Sequence, residues 1–153
     1  MTGHAGAFAA VFAALYAAHM VGDHWVQTGT QAACKGSRDW AGRATCAGHV
    51  LTLTVTKAAA LVAVALACGL HFSALWLPAG LAVDAVSHYW ADRRFTLARL
   101  AAALGKAGFY RLGQPRPNRD DNPTLGTGAY ALDQSWHVGW LFAAALLMTV
   151  GVS

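Results

Sequence analysis

Seven histidines and seven aspartates supply most of the chemistry this sequence offers, and half of them fall into ladders of four. His19 and Asp23 are four apart, with Gln27 four further on. Asp84, His88 and Asp92 repeat the interval, and Asp133 and His137 repeat it again. That interval puts side chains on one face of a helix, one turn apart. Neutral imidazole with carboxylate is the ligand set of zinc, and also of manganese or iron. Helical bundles build such sites from i,i+3 or i,i+4 pairs on facing helices. A divalent ion would neutralise the carboxylates, and a spare carboxylate would orient a ligating imidazole. An open coordination position would hold a water activated for attack on a phosphoryl or carbonyl centre. The candidate metal ligands are His19, Asp23, His49, Asp84, His88, Asp92, Asp133 and His137, with Asp23 and Asp133 the candidate catalytic carboxylates. The expected cofactor is zinc, with manganese or iron as alternatives. Asp84 and Asp92 compete for the ligand role on their segment.

A single Asp–His pair more often satisfies itself within its own helix. Three pairs together with His49 favour one shared site. Other residues rank lower. His24 lies about 100° round the helix from the His19–Asp23 face, which suits an interfacial position. His4 and His71 belong to the opposite side. Cys46, one turn before His49, reads as a structural thiol, and Lys57 is expected to pair with an aspartate or to snorkel. Asp120, Asp121 and Asn122 suit a solvated turn or a lid. The three cysteines have no framework spacing. No nucleophile elbow, HExxH helix or P-loop is present.

These residues need elements to position them, and the composition says which. The 153 residues are 56% hydrophobic and 12% charged, with a mean hydropathy of +0.39. A soluble domain carries about twice that charge. Four apolar segments, 5–27, 46–70, 72–90 and 130–152, are each near the roughly 20 residues that span a bilayer as helix. Lipid leaves backbone groups no water to bond, so helix is the form they take. The expected fold is all-α: a polytopic membrane four-helix bundle forming one domain. Residues 1–6 lack Lys and Arg, so the first segment reads as a span rather than a cleaved signal.

The connections assign an orientation. Ten of the eleven Lys and Arg residues fall in segments 28–45 and 91–129, which alternation puts on one side. The positive-inside rule makes that side cytoplasmic and both termini external. The net charge of +4 thus reads as topology and lipid contact, not as a nucleic-acid surface. Leu97, Leu100, Leu104 and Gly108 recur at helical spacing, which predicts a short amphipathic interfacial helix between spans three and four. In this topology every His–Asp ladder ends on the cytoplasmic side. His19, Asp84 and His137 are expected deepest, with Asp23, His49, His88 and Asp133 one layer shallower.

At these residues the chain resembles a bacterial membrane family, domain of unknown function 3307. The likeness rests on His19 and Asp23 leading into Val26-Gln27-Thr28, with Gln31-Ala32 and Lys35 behind. It continues with His49, Ser87-His88 running to Asp92, and Leu132-Asp133-Gln134 running to His137. The long third connection and His24 depart from the pattern. The resemblance implies the architecture, the bacterial inner membrane and these residues, not a reaction. A looser likeness joins the chain to membrane-bound metal-dependent hydrolases with His/Asp-rich spans. The leading expectation is a metal-dependent hydrolase of a lipid or headgroup at the cytoplasmic interface. The alternatives are a small metal-ion or proton channel or carrier, working as a homo-oligomer, and a non-catalytic membrane scaffold of a mobile element.

Overall fold

The computed structural model describes residues 2–115, 118 and 126–153, and those residues form helices and turns without strands. Arg116, Arg119 and the lid candidates Asp120, Asp121 and Asn122 lie outside them. The elements are α1 (Thr2–Val21), a π-helical turn (Gly22–Val26), α2 (Gly29–Cys34), α3 (Trp40–Cys68), α4 (Trp76–Asp92), α5 (Phe95–Ala103), α6 (Ala107–Tyr110) and α7 (Gly128–Met148). The four long helices close a ring: α1 packs against α3 and α7, and α4 packs against the same two.

Two of the four meet the length and apolarity needed to cross a membrane, Gly3–Val26 and Trp40–Cys68. The sequence reading expected four. α4 is 17 residues long, about 25 Å at 1.5 Å per residue, and carries Asp84 and Asp92. α7 carries Asp133, Gln134 and His137 in its N-terminal half. The same polar residues that create the candidate site therefore weaken the apolar signal of these two helices.

The first connection is also more structured than expected. Thr28 and Gln31 form a reciprocal capping box that starts α2. Asp39 Oδ1 accepts the Gly42 N–H at 2.7 Å and starts α3 six residues before the expected boundary. His49 consequently sits two and a half turns inside α3, not at its opening.

One end of the ring is apolar. Val11, Leu15, Leu61, Leu141, Ala144, Ala145 and Met148 form its core, with Phe8, Phe12 and Phe72 packed against them. The outer faces are apolar as well: Leu51, Val55, Val62 and Leu66 of α3 are exposed, Leu66 by 81%. Inside, His19, His49, Lys57, His88 and Asp92 are buried. Buried ionisable groups at one end, with apolar side chains on the outer faces, depart from the usual soluble pattern.

The third connection does contain the expected short helix, as α5 followed by α6. Leu97 and Ala101 face inward, whereas Leu104 is exposed. α6 fixes where α7 begins. The Gly128 N–H donates to Leu112 O at 2.7 Å. A Cβ on Gly128 would lie 1.6 Å from Phe109 O, so the two backbones meet only because residue 128 has no side chain.

Candidate metal centre

The polar end is built where the C-terminal ends of α1 and α4 meet the N-terminal parts of α3 and α7. α1 delivers His19 from regular helix and Asp23 from the π-helical turn, closed by Gln27 N–H to Gly22 O at 2.9 Å. Such turns recur at functional sites because the extra residue re-aims the side chains that follow. Gly22 lets this turn lie against α3: a Cβ there would come within 2.1 Å of Leu53 Cδ1.

Three candidate ligand atoms meet first. Asp23 Oδ1, His49 Nε2 and His88 Nε2 are separated by 3.0 Å (Asp23–His49), 3.2 Å (His49–His88) and 3.6 Å (Asp23–His88). Asp92 Oδ2 closes on the same imidazoles, 3.3 Å from His49 Nε2 and 3.2 Å from His88 Nε2. Donors about 2.0 Å from one tetrahedral ion lie roughly 3.3 Å apart. The buried His19 and His137 complete the wall. Their ring centroids are 5.0 Å apart, and His137 stacks on His88 at 4.0 Å.

Several of these contacts are short without being hydrogen bonds. Among the described residues, Asp23 Oδ1, Asp92 Oδ2, His137 Nε2 and both ring nitrogens of His19 are buried and make no well-aligned hydrogen bond. The distances bring the groups together, but the angles do not aim an N–H at an oxygen. Uncompensated buried polar atoms are costly, and convergence of lone pairs on a common point relieves that cost when a cation occupies it. The sets Asp23, His49, His88 and His88, Asp92, His137 both have the spacing to hold such an ion.

The remaining expected residues take different places. Asp92, taken as the start of the third connection, is buried inside the cluster, and its Oδ1 also receives Lys35 Nζ at 2.9 Å. Asp84 does not join the cluster; its Oδ2 pairs with Lys57 Nζ at 2.7 Å, both buried. Asp133 stands at the rim, 28% exposed, with Oδ1 3.5 Å from His137 Nε2. Gln134 Nε2 donates to Asp133 Oδ2 at 3.4 Å. His24 is exposed, its Nδ1 2.8 Å from Met20 O. Cys46 is buried with Sγ 3.7 Å from Tyr89 O, a packing position.

A cleft of about 450 Å³ opens onto the cluster between the π-helical turn, the end of α4, α5, α6 and α7. Asp23, Asp92 and Asp133 line it together with Lys35, Arg94, Tyr110 and Tyr130. Burial, followed by the Asp133 carboxylate, raises the Tyr110 phenol above its ordinary range, so it stays a donor at neutral pH. The sequence marks Arg94 as a topology signal and Lys35 as that and as part of the family likeness, but neither as a site residue. Lys35 reaches Asp92 from the end of α2, and the sharp α4–α5 turn, where Arg94 has φ 56° and donates to Ala32 O at 2.8 Å, brings Arg94 to the same cleft.

No curated protein and no solved structure matches the chain. The match that exists runs from α1 through α7 and takes in the whole cluster: over residues 11–153 the sequence fits the family model described as protein of unknown function (DUF3307), and the chain belongs to that family.

Proposed function

We propose that this protein is a multi-pass protein of the bacterial inner membrane that holds a divalent metal in the His/Asp cluster and uses it to hydrolyse a lipid or lipid headgroup. The observation that carries the reading is the convergence of Asp23 Oδ1, His49 Nε2 and His88 Nε2 within 3.0–3.6 Å of one another in a buried setting. Membrane insertion is supported by two helices of spanning length and by the exposed apolar faces. All four long helices cross in this reading, with α2, α5 and α6 at the cytoplasmic surface and α4 and α7 inserted as partners of α1 and α3. Zinc suits the His/Asp set best, and manganese or iron accept the same donors.

Asp23, His49, His88 and Asp92 are the ligands, with His137 and His19 alongside. A divalent ion held by these residues would supply Lewis-acid activation of a water. Asp133, at the rim of both cluster and cleft, accepts the proton as general base, and Asp23 contributes charge as a ligand. Lys35, Arg94 and the Tyr110 hydroxyl hold an anionic group on the substrate. A channel or carrier would need polar groups across the whole ring. The apolar core at the other end favours a site with one entrance. Elemental analysis of the purified full chain tests the reading: about one ion per chain supports it, and a metal-free protein with the same thermal stability as after metal loading rejects it.

A further inference from the structure

A second basic pocket lies outside the His/Asp site. Arg38, Arg43, Tyr89, Arg93, Phe95 and Arg99 line a cavity of about 330 Å³. Three guanidinium groups crowd one phenyl ring: the Cζ atoms of Arg38, Arg93 and Arg99 are 5.1, 5.5 and 5.6 Å from the Phe95 ring centroid. Among the described residues none of the four arginines has a carboxylate partner. The two acidic residues adjacent to them in sequence are engaged elsewhere: Asp39 caps Gly42, and Asp92 holds Lys35 Nζ at 2.9 Å.

Topology alone does not require this arrangement. The positive-inside rule asks for cations on one side, not for their convergence in a concavity. Bringing like charges together costs energy, and cation–π contact with one ring offsets only part of it. Arg43 also sits in the opening turns of α3, where the helix dipole disfavours a cation. Arg93 is buried and anchored by donating to Lys35 O at 3.1 Å and to Ser37 O, so the pocket has a fixed floor. The other three guanidinium groups keep their planar donor forks for a ligand.

We propose that this pocket binds a phosphate group, supplied by the headgroup of an anionic phospholipid. The charge, the donor geometry and the size fit a phosphate diester or monoester. The exposed Trp40, 79% accessible at the start of α3, suits the headgroup level where the lipid would sit. The proposal shares the membrane reading but not the metal or the hydrolysis.

The test uses the full chain in mild detergent, with phosphatidylglycerol or phosphatidylcholine added and retained lipid counted by native mass spectrometry. The wild type is compared with Arg38→Gln/Arg99→Gln and with Lys106→Gln/Arg111→Gln, which removes equal charge elsewhere. Phosphatidylglycerol affinity should fall about thirtyfold in the first variant, the product of two headgroup contacts of about 1 kcal/mol each, and less than threefold in the second. Displacement of the lipid by inorganic phosphate at millimolar concentration would support the same site with a free anion as its source. Equal retention in all three proteins, or an equal fall in both variants, would overturn the proposal, as would binding of an oligonucleotide in place of lipid. Arg43→Gln, on the pocket's rim, provides the readout if the double variant does not fold. Metal content should be unchanged in every variant, so failure here is separable from failure of the metal reading.

Discussion

His49 Nε2 lies 3.2 Å from His88 Nε2, and the two imidazoles share Asp23 on one side and Asp92 on the other. These two residues are 39 positions apart in the chain and come from α3 and α4. Their closeness makes them the centre of the candidate site and gives the first prediction. His88→Ala should lower bound divalent metal at least tenfold by elemental analysis, while circular dichroism keeps the helical signal. Metal occupancy equal to the wild type would remove His88 from the ligand set.

Asp133 should separate binding from chemistry. Asp133→Asn keeps shape and leaves the buried donors in place. Hydrolysis of a lipid ester or phosphoester panel should drop by about 10²–10⁴-fold, the usual contribution of a general base, with metal content retained. Loss of metal together with activity would instead make Asp133 a ligand.

The Lys57–Asp84 pair should behave as structure. Lys57→Met leaves an uncompensated buried carboxylate and should destabilise the protein by about 3–5 kcal/mol, read as a lowered melting temperature. Lys57→Met/Asp84→Leu should recover most of that loss and still bind metal. A metal-free double variant would return Asp84 to the ligand set.

Gly128→Ala places a methyl against the Phe109 carbonyl, where only backbone can give way. The expected cost is about 1–3 kcal/mol, with weakened metal binding because α7 carries Asp133 and His137 from that start. Unchanged stability would mean that α6 does not hold the opening of α7.

Orientation is open to a labelling test in a cysteine-free background. Ser37→Cys should react with an impermeant maleimide only after permeabilisation, and Ala74→Cys should react in intact cells. The reverse pattern would place the candidate centre on the outer face.

The sequence by itself determined that the chain is helical and that its ionisable residues cluster, because helical period and the cost of burying charge leave direct marks in residue spacing. It puts His19, Asp23, His49, Asp84, His88, Asp92, Asp133 and His137 at one end of the bundle, and the structure moves Asp84 to Lys57 and His49 deeper into α3. Two local signals were present but unread: the Thr28–Gln31 capping box and the Asp39 cap, which convert much of the first connection to helix. The tertiary structure decided the rest. The choice between Asp84 and Asp92 depends on how far α4 is shifted along α3, since both aspartates lie on one ladder and packing sets Lys57 level with Asp84 and His49 level with Asp92. The packing of the π-helical turn against Leu53, the reach of Lys35 to Asp92 and the place of Arg94 beside Ala32 in the cleft arise from contacts between segments far apart in sequence. Periodicity reports which face of a helix is polar, but not what another helix brings to meet it.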